Sequence, residues 1–447
     1  MSKRTILTAM LAATLTASAS HAQLLGGGLG LPGPVGGVIG GIGNTVDRTV
    51  GNVTGQPNNP SSFVNQSNPV SLDSVTRPVA QIAAAPALLS DIRKARLAAL
   101  IRANRGTLDR DNEGQPVRRG ELVVTDPDPA SLALAQRAGF TITRDEQATE
   151  LSIRMVTLAL PKGMDVREGL KALRKAAPAL QADYNHIYEP AGAALLPATT
   201  AALAAAPVRP GTRIAMIDGG IASHPSLARA GIEQRGFAGP AQPTGHGTAV
   251  GSLLVGDQGP FRGAARGAQL FVGDVYGGNP AAGSATAIVR ALAWAASKKP
   301  SVINISLVGP SNRTLSKAVD ALRARGIALV AAVGNDGPAA PPQYPASYPG
   351  VVAVTGVDGN NRALREAGRA SHLDFAAPGA ELAAAHPGKG YTEVRGTSFA
   401  APFVAARLAA TGSAASLSAE AQPGKGKVGR GIVCGGCDIA PRALGLK

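Results

Sequence analysis

A serine in the C-terminal region of the sequence is surrounded by residues that leave its hydroxyl accessible. Ser398 lies in VRGTSFAAPFVAA, where Gly396 permits a tight turn and the alanines that follow are too small to cover the serine. Pro402 suits the first turn of a helix, where its missing N–H costs nothing. Because N–H groups at a helix start favour negative charge, the stretch predicts a nucleophile at a helix N-terminus. Taken alone, however, the stretch is better explained by an ordinary helix-capping serine.

An aspartate and a histidine supply the other two groups that serine catalysis needs. Asp218 ends the apolar strand in RIAMIDGG, and a buried acid is costly unless it has a partner. His246 lies between two glycines in TGHGTAVGSLL, at the start of an apolar helix. In a serine–histidine–aspartate relay the histidine takes the hydroxyl proton, while the aspartate orients the imidazole and stabilises its charged form. His224 is a rival base, but it follows Asp218 so closely that we interpret it as structural.

The order of these residues along the chain separates the classes of serine hydrolase. All six histidines precede Ser398, which excludes the Ser–Asp–His order of α/β-hydrolases. The G-x-S-x-G elbow of those enzymes is also absent, because Ala400 stands where its last glycine would be. A His–Asp–Ser order could be written with Asp274, but that order belongs to β-barrel proteases, whereas this sequence alternates strands and helices. The order that remains is Asp218, His246, Ser398.

The elements around these residues predict a parallel sheet. From residue 213 onward, short apolar strands such as SVINISL and IALVAAVGN alternate with helices. Strands that are apolar throughout are typical of a parallel sheet covered by helices on both faces. Such sheets place their sites at the carboxyl ends of the strands, which is where Asp218 lies. The sequence therefore predicts an α/β domain with the candidate residues gathered at one edge of its sheet.

These motifs together resemble those of the subtilisin-like serine proteases, the subtilases, over residues 213–410. The three catalytic motifs of that family correspond to IAMIDGGI, GHGTAVG and GTSFAAPFVA, in that order. The resemblance implies a subtilisin-like fold and implies that Asn335, in AAVGNDG, donates its side-chain amide to the oxyanion. NISLVGP resembles the strand that pairs with a peptide substrate. The implied substrate-binding residues are Ser306, Leu307, Val308, Gly309 and Gly334.

The resemblance also implies an activity. It is that of a serine endopeptidase, which hydrolyses polypeptide substrates through an acyl-enzyme intermediate and uses no cofactor. Phe403 stands where a second histidine is usual in the family. Val308 replaces a usual glycine, and we expect this to narrow or reshape the pocket that binds the substrate residue before the scissile bond. VGDQGPFRGAARGA lacks the asparagine-rich calcium loop of many relatives, so we expect no metal there. We interpret Asp336 as a solvated charge at the rim of the site, with a preference for basic substrates as the alternative.

The N-terminal region of the sequence predicts an exported precursor. Residues 1–22 have the charged start, short apolar run and small-residue cleavage site of a secretory signal peptide, and the apolar run is too short to span a membrane. The expected location is therefore secreted or periplasmic. Residues 23–118 are a Gly/Pro-rich leader and linker, residues 191–207 an Ala/Pro-rich linker, and residues 208–447 the catalytic domain.

A small domain is predicted between the leader and the Ala/Pro-rich linker. Residues 119–190 follow the order strand, helix, strand, strand, helix, strand, which is that of a ferredoxin-like α+β unit. The unit resembles the subtilase propeptide, which implies an inhibitor and folding chaperone of the catalytic domain that follows. Because cleavage favours exposed and flexible chain between domains, we predict self-processing near Tyr188–Ala191, with a cut within the Ala/Pro-rich linker as the alternative.

Composition bears on the possible partners. The formal net charge is +15, but only 3% of the residues are aromatic, so few side chains could stack on bases. We therefore expect a solvated surface charge, no nucleic-acid partner and a monomer. The two cysteines, Cys434 and Cys437, predict a small disulfide in an exported chain, with a free or redox-active pair as the alternative. The alternative to an enzyme is a binding or scaffold protein on a catalytically degenerate subtilase fold.

Overall fold

The computed structural model describes residues 86–194, 208–388, 390–437 and 440–446, all of which belong to one compact unit, Ser62–Lys447. The predicted signal peptide, the predicted leader up to residue 85 and most of the Ala/Pro-rich linker lie outside the described residues.

Three helices and the strands of an antiparallel sheet come first along the described chain. They are α1 (Pro86–Ala103), β1 (Leu108–Arg110), β2 (Pro116–Thr125), α2 (Pro129–Arg137), β3 (Thr141–Ala148), β4 (Ile153–Ala159), α3 (Val166–Ala176) and β5 (Gln181–His186). The strand order is β1-β2-β4-β3, and β5 pairs with the other edge of β2. From β2 to β5 the elements follow the order that the sequence predicts. However, α1, β1 and the first residues of β2 fall within residues 23–118, which were predicted to be a leader and linker, so the folded unit begins before the predicted boundary at residue 119.

This first sheet has a hydrophobic core of its own. Leu132 of α2 and Leu170 and Leu173 of α3 are buried against Leu122 and Val124 of β2. The helix α3 starts with a capping box, in which Asp165 and Glu168 satisfy each other's backbone N–H groups. Apolar residues at helical spacing on α3 and alternating residues on β2 thus face each other, as in an α+β sandwich.

Two very short strands follow this unit along the chain, before the second sheet begins. They are β6 (Glu189–Pro190) and β7 (Ala193–Ala194). The remaining elements are β8 (Arg213–Asp218), β9 (Gly231–Gly236), α4 (Gly245–Val255), β10 (Asp257–Gln258), β11 (Phe261–Arg262), β12 (Gln269–Asp274), α5 (Ala285–Ser297), β13 (Val302–Ile305), β14 (Leu307–Val308), α6 (Arg313–Ala324), β15 (Ala328–Ala332), β16 (Val352–Val357), β17 (Phe375–Pro378), β18 (Leu382–Ala385), β19 (Tyr391–Arg395), α7 (Thr397–Thr411) and α8 (Ala414–Glu420).

The second sheet is parallel and has seven strands in the order β17-β16-β15-β13-β8-β12-β9. Alternate residues of β8 enter different cores: Ile214 and Met216 pack with α4 and α7, whereas Ala215 and Ile217 pack with α5 and α6. The sheet is therefore covered by helices on both faces, which confirms the predicted fold class. Because β8 lies inside the sheet, its carboxyl end is enclosed by neighbouring strands.

The start of α7 differs from the prediction made for Pro402. The helix begins at Thr397, so Pro402 lies in the second turn and not in the first. A residue in this place would normally donate its N–H to the carbonyl of Ser398, and proline cannot. Ser306 Oγ donates to that carbonyl instead, at 2.9 Å. A side chain from the neighbouring strand thus supplies the hydrogen bond that the helix lacks at this point.

The C-terminal segment carries a disulfide at the edge of the sheet. Cys434 and Cys437 are bonded, which agrees with the predicted small disulfide. The segment is attached to β17 through Val433 N, which donates to Ala376 O at 2.8 Å. Three strands separate β17 from β8 in the sheet order. The disulfide therefore stabilises a region of the fold that is remote from Asp218.

We expect that replacing both Cys434 and Cys437 by serine lowers stability without lowering catalysis. Closure of so short a loop is worth about 2 kcal/mol through the entropy of the unfolded chain. The melting temperature should fall by a few degrees, while peptidase activity at 25 °C stays within twofold or so of the unmodified chain. Thermal unfolding and a peptidase assay on the same samples test this. A folded variant without activity would indicate a functional thiol pair.

Candidate active site

Asp218 lies at the carboxyl end of β8 and is fully buried. Its Oδ1 accepts a hydrogen bond from Gly219 N at 2.7 Å and lies 2.9 Å from His246 Nδ1. Its Oδ2 has no hydrogen-bond partner among the described residues. A buried carboxylate depends on such donors for its stability. The strand end therefore presents one fixed oxygen to the imidazole.

His246 is the second residue of α4, whose start approaches the end of β8 closely. Thr244 caps the helix, since its Oγ1 accepts a hydrogen bond from Gly247 N at 2.9 Å. A Cβ at Gly247 would lie only 2.8 Å from Gly220 O, so only glycine allows this approach without a shift. The imidazole that is held in this way has Nδ1 towards Asp218 and Nε2 towards the nucleophile.

Ser398 completes the relay. It is the second residue of α7 and is fully buried, and its Oγ lies 2.9 Å from His246 Nε2. Gly396, two residues earlier, has φ 140°, a backbone conformation that residues other than glycine rarely adopt. It turns the chain from β19 into the helix. Aspartate, histidine and serine thus form a continuous set of contacts at the distances required of a nucleophile, its base and the group that orients the base.

Two hydrogen-bond donors converge on the carbonyl oxygen of Ala191. Ser398 N donates at 3.3 Å, and Asn335 Nδ2 donates in a short contact. The amide is oriented by its own oxygen, because Asn335 Oδ1 accepts from Thr397 N at 3.0 Å. A backbone N–H and a side-chain amide aimed at one carbonyl oxygen can stabilise the charge that develops there during acyl transfer.

The peptide bond that contacts the serine is the one between Ala191 and Gly192. A Cβ at Gly192 would collide with Ser398 Oγ and would lie 2.7 Å from Phe399 Cε2. Gly192 therefore lies against the nucleophile, while the carbonyl oxygen of the preceding Ala191 faces the two donors.

The chain on both sides of this bond is extended and paired with the strands β14 and β19. Before the bond, β6 is antiparallel to β14, and Ala191 N donates to Ser306 O at 3.0 Å. After the bond, β7 is antiparallel to β19, with Ala193 opposite Arg395. Addition of an extended segment to exposed strands is a common mode of peptide binding. The chain's own segment thus occupies the site in the manner of a peptide.

Tyr188 anchors this segment in a closed pocket. The side chain is fully buried and its hydroxyl donates to Pro310 O at 2.7 Å. Its backbone N donates to Gly283 O at 2.8 Å, and its backbone O accepts from Tyr276 Oη at 3.1 Å. Burial raises the pKa of the Tyr188 phenol well above its usual value, so the side chain is neutral. Backbone and side chain together fix the register of the segment.

Four of the five predicted substrate-binding residues contact the bound segment, and the fifth supports the serine loop. Ser306, Leu307 and Val308 pair with the bound segment through their backbones. Gly309 leaves room for the aromatic ring of the anchor, because a Cβ there would lie 2.5 Å from Tyr188 Cδ1. Gly334 has φ 87° and its N donates to Thr397 Oγ1 at 3.0 Å, so it supports the serine loop.

The rival residues have other partners. His224 caps a 3-10 turn by accepting from Ser226 N at 3.1 Å, and its Nε2 lies 2.8 Å from Gly390 O. Asp274 is paired in register with Asp218, but its carboxylate accepts from the backbone N of Gln242, at 2.8 Å. Burial raises the pKa of Asp274, and hydrogen bonds from backbone N–H groups oppose this. Both side chains are thus engaged in contacts that support the local backbone.

The interpretation of Asp336 as a solvated charge is wrong. The residue is only 5% exposed, and its two carboxylate oxygens accept from Arg93 Nε at 2.9 Å and Arg96 Nη2 at 3.0 Å. Both arginines belong to α1, more than two hundred positions earlier in the chain. Sequence reasoning has no signal for this contact, because the arginines look like the solvated face of a helix.

Metal-binding clusters and membrane-spanning helices are both absent from the described ranges. Within them, no group of three or more His, Cys, Asp or Glu side chains could hold a metal ion. No helix in the same stretches of the chain is long and apolar enough to cross a membrane.

The sequence and the fold are similar to those of known proteases. The profile of the Subtilase family matches residues 209–422. Subtilisin Savinase of Lederbergia lenta is 35% identical over 209 residues, which cover 44% of this chain and 75% of that protein. An alkaline protease of Alkalihalobacillus alcalophilus is also 35% identical over 209 residues, and the match spans 53% of its length. The crystal structure of fervidolysin from Fervidobacterium pennivorans, a keratinolytic enzyme related to subtilisin, superposes with a TM-score of 0.61 over 73% of this chain and 62% of that one. At 18% identity, this last similarity concerns the fold.

Proposed function

The chain belongs to the subtilase family of serine endopeptidases, and on that premise we propose that it is an exported protease that releases itself from its own N-terminal region. In this proposal Asp218, His246 and Ser398 are the catalytic triad, and Asn335 with the backbone N of Ser398 forms the oxyanion hole. The bond that is cut is Ala191–Gly192.

One observation supports the proposal above all others. The Ala191 carbonyl oxygen accepts hydrogen bonds from both Asn335 and Ser398 N, while the strands before and after it are paired with β14 and β19. A segment held only as a cleaved product needs the pairing before the bond, but it does not need the pairing after it. Engagement of both sides is what a scissile bond requires.

The chemistry follows from these contacts. Ser398 Oγ attacks the carbonyl carbon of Ala191 and its proton passes to His246 Nε2, while Asp218 Oδ1 holds the Nδ1 proton. The negative charge on the carbonyl oxygen is stabilised by the two donors. Collapse of this intermediate breaks the bond to Gly192 N, which takes the proton from His246. A water molecule then attacks the acyl-enzyme and gives a proton to His246 Nε2. His246 returns this proton to Ser398 Oγ as the ester bond breaks, which frees the Ala191 carboxylate and restores Ser398.

The domain organisation fits this scheme. Cleavage at Ala191–Gly192 ends the N-terminal fragment at Ala191, one residue beyond the predicted propeptide boundary at residue 190. The segment before the cut keeps its anchor at Tyr188 and its pairing with β14, so the N-terminal fragment should remain bound as a product-like inhibitor. Export rests on the signal-peptide pattern of residues 1–22, which predicts a secreted or periplasmic enzyme that acts on polypeptides.

The test compares the intact masses of the unmodified chain and of Ser398→Ala after expression and purification. We expect the unmodified chain to yield a mature form that starts at Gly192, and Ser398→Ala to retain residues 188–192 uncut. Ser416→Ala, an exposed serine on α8, is the matched control and should be processed normally. Cleavage of Ser398→Ala at the same bond would show that another protease makes the cut.

The same samples address the alternative of a catalytically degenerate scaffold. A scaffold would show neither processing nor hydrolysis of a fluorogenic peptide in the unmodified chain, although it folds. An active protease hydrolyses the peptide after processing, and the Ser398→Ala chain does not.

A further inference from the structure

Helix α1 carries two arginines to the rim of the catalytic domain. Arg93 and Arg96 lie three residues apart and therefore share one face of the helix. The same face is apolar on either side of them, because Leu89 and Leu97 are buried and Leu100 packs against the small cluster of Leu108, Ile187 and Ala281. This face of α1 is thus directed at the protein and not at solvent.

The arginines meet at Asp336, the residue that follows Asn335. Arg93 Nε donates to Asp336 Oδ2 at 2.9 Å, and Arg96 Nη2 donates to Asp336 Oδ1 at 3.0 Å. Arg96 also contacts Glu189 with two nitrogens, at 3.3 and 3.1 Å. Arg93 Nη2 donates to Gln115 Oε1 at 2.8 Å. Two guanidinium groups and two carboxylates therefore form one network with balanced charge.

The network is shielded from water. The exposed fraction of the side chain is 8% for Arg93, 17% for Arg96 and 5% for Asp336. Burial acts to lower the pKa of Arg96, but the carboxylates of Glu189 and Asp336 outweigh it and the pKa is raised, so the guanidinium stays charged. Exposed ion pairs contribute little to stability. Breaking a shielded, hydrogen-bonded pair has a larger effect, because it leaves an uncompensated charge in a buried place.

We propose that Asp336 is a docking point for paired arginines outside the groove that binds the substrate backbone, and that α1 is its occupant in the precursor. The inference rests on the proposed function, because the arginines and Glu189 all lie before the Ala191–Gly192 bond while Asp336 lies after it. After cleavage, Asp336 is the enzyme's side of the network. Helix α1 then acts as a clamp that adds to the inhibition given by Tyr188 and β6.

The charges explain why the clamp depends on both sides. Without Asp336 the N-terminal fragment has two guanidinium groups and only the Glu189 carboxylate between them, so positive charge is left unbalanced in a buried place. Without the arginines, Asp336 is left buried and unpaired for as long as the fragment stays bound. Removal of one partner of a shielded and hydrogen-bonded charge pair typically weakens a complex about 30-fold or more.

The experiment follows the release of the N-terminal fragment from the self-processed protein. Freshly processed full chain is diluted into a fluorogenic peptide, and the rate at which activity rises to its plateau is measured. We expect the Arg93→Gln/Arg96→Gln chain to reach its plateau about 30-fold faster than the unmodified chain. Arg102→Gln/Arg105→Gln, with exposed arginines at and just after the end of the same helix, is the matched control and should rise at the unmodified rate.

Asp336→Asn identifies the contact and covers the case in which the arginine variant does not fold. This variant leaves the N-terminal fragment unchanged. Because Asp336 adjoins the oxyanion donor Asn335, its replacement can change the final activity, so each time course is scaled to its own plateau. We expect faster release in Asp336→Asn and little further gain when the arginine changes are added. Unchanged release in either variant, or a full additional effect of the arginine changes on the Asp336→Asn background, would overturn the clamp. Absence of processing in the unmodified chain would instead contradict the proposed function.

Discussion

Replacing Asp218 by asparagine is expected to slow self-cleavage about 10⁴-fold, although the fold is retained. Asp218 Oδ1 is shared by Gly219 N and His246 Nδ1. An asparagine that keeps its oxygen in that place loses the charge that stabilises the imidazolium. An asparagine that turns its NH2 group towards the imidazole forces the proton onto Nε2, where Ser398 needs a base. In both orientations His246 is a poorer base.

The measurement is the first-order rate of cleavage at Ala191–Gly192 after refolding of the full chain, followed by intact mass. Asp274→Asn is a matched control because Asp274 is equally buried and lies beside Asp218 on the neighbouring strand. Its partners are backbone N–H groups, so its replacement should lower the melting temperature and leave the cleavage rate within a few-fold of the unmodified chain. Equal losses in the two variants would mean that buried charge at the strand ends, and not a specific partner of His246, sustains the reaction.

The sequence was informative about the residues proposed as the catalytic triad because they have local signals. Asp218 follows a run of apolar residues that form one strand, and the glycines around His246 are needed where α4 approaches the end of that strand. In a parallel sheet the carboxyl ends of strands meet at one edge. Local patterns therefore sufficed to predict the fold class and to select residues that the structure brings within hydrogen-bond distance of one another.

The position of the contacted peptide bond could be predicted only to within a few residues. The sequence predicted cleavage in an exposed link between the domains, whereas Tyr188 and Ala191 are buried in the site. The register of this segment depends on Tyr188, whose pocket is formed by Gly283 and Pro310 about a hundred positions later. The network of Arg93, Arg96 and Asp336 was missed for a similar reason. A helix with arginines and few acidic residues has the same pattern whether the arginines face water or a carboxylate from a distant loop.

Replacing Asn335 by alanine is expected to slow the cleavage about 10²–10³-fold, which is typical of removing one oxyanion donor from a subtilisin-type site. Asn335 Nδ2 and Ser398 N both donate to the Ala191 carbonyl oxygen, so one donor remains after the replacement. The remaining donor explains why the expected loss is smaller than that for Asp218→Asn. The readout is again the first-order rate of cleavage at Ala191–Gly192.

A second role of Asn335 makes a further variant necessary. Its Oδ1 accepts from Thr397 N at 3.0 Å, so alanine also removes an acceptor at the start of α7 and could misplace Ser398. Asn335→Asp keeps that acceptor and replaces the donor with a carboxylate oxygen that faces the developing negative charge. If the oxyanion contact is what matters, Asn335→Asp is at least as slow as Asn335→Ala, because it repels the charge that the site must stabilise. If the support of α7 is what matters, Asn335→Asp is nearly as fast as the unmodified chain, and the assignment of Asn335 to the oxyanion hole is wrong.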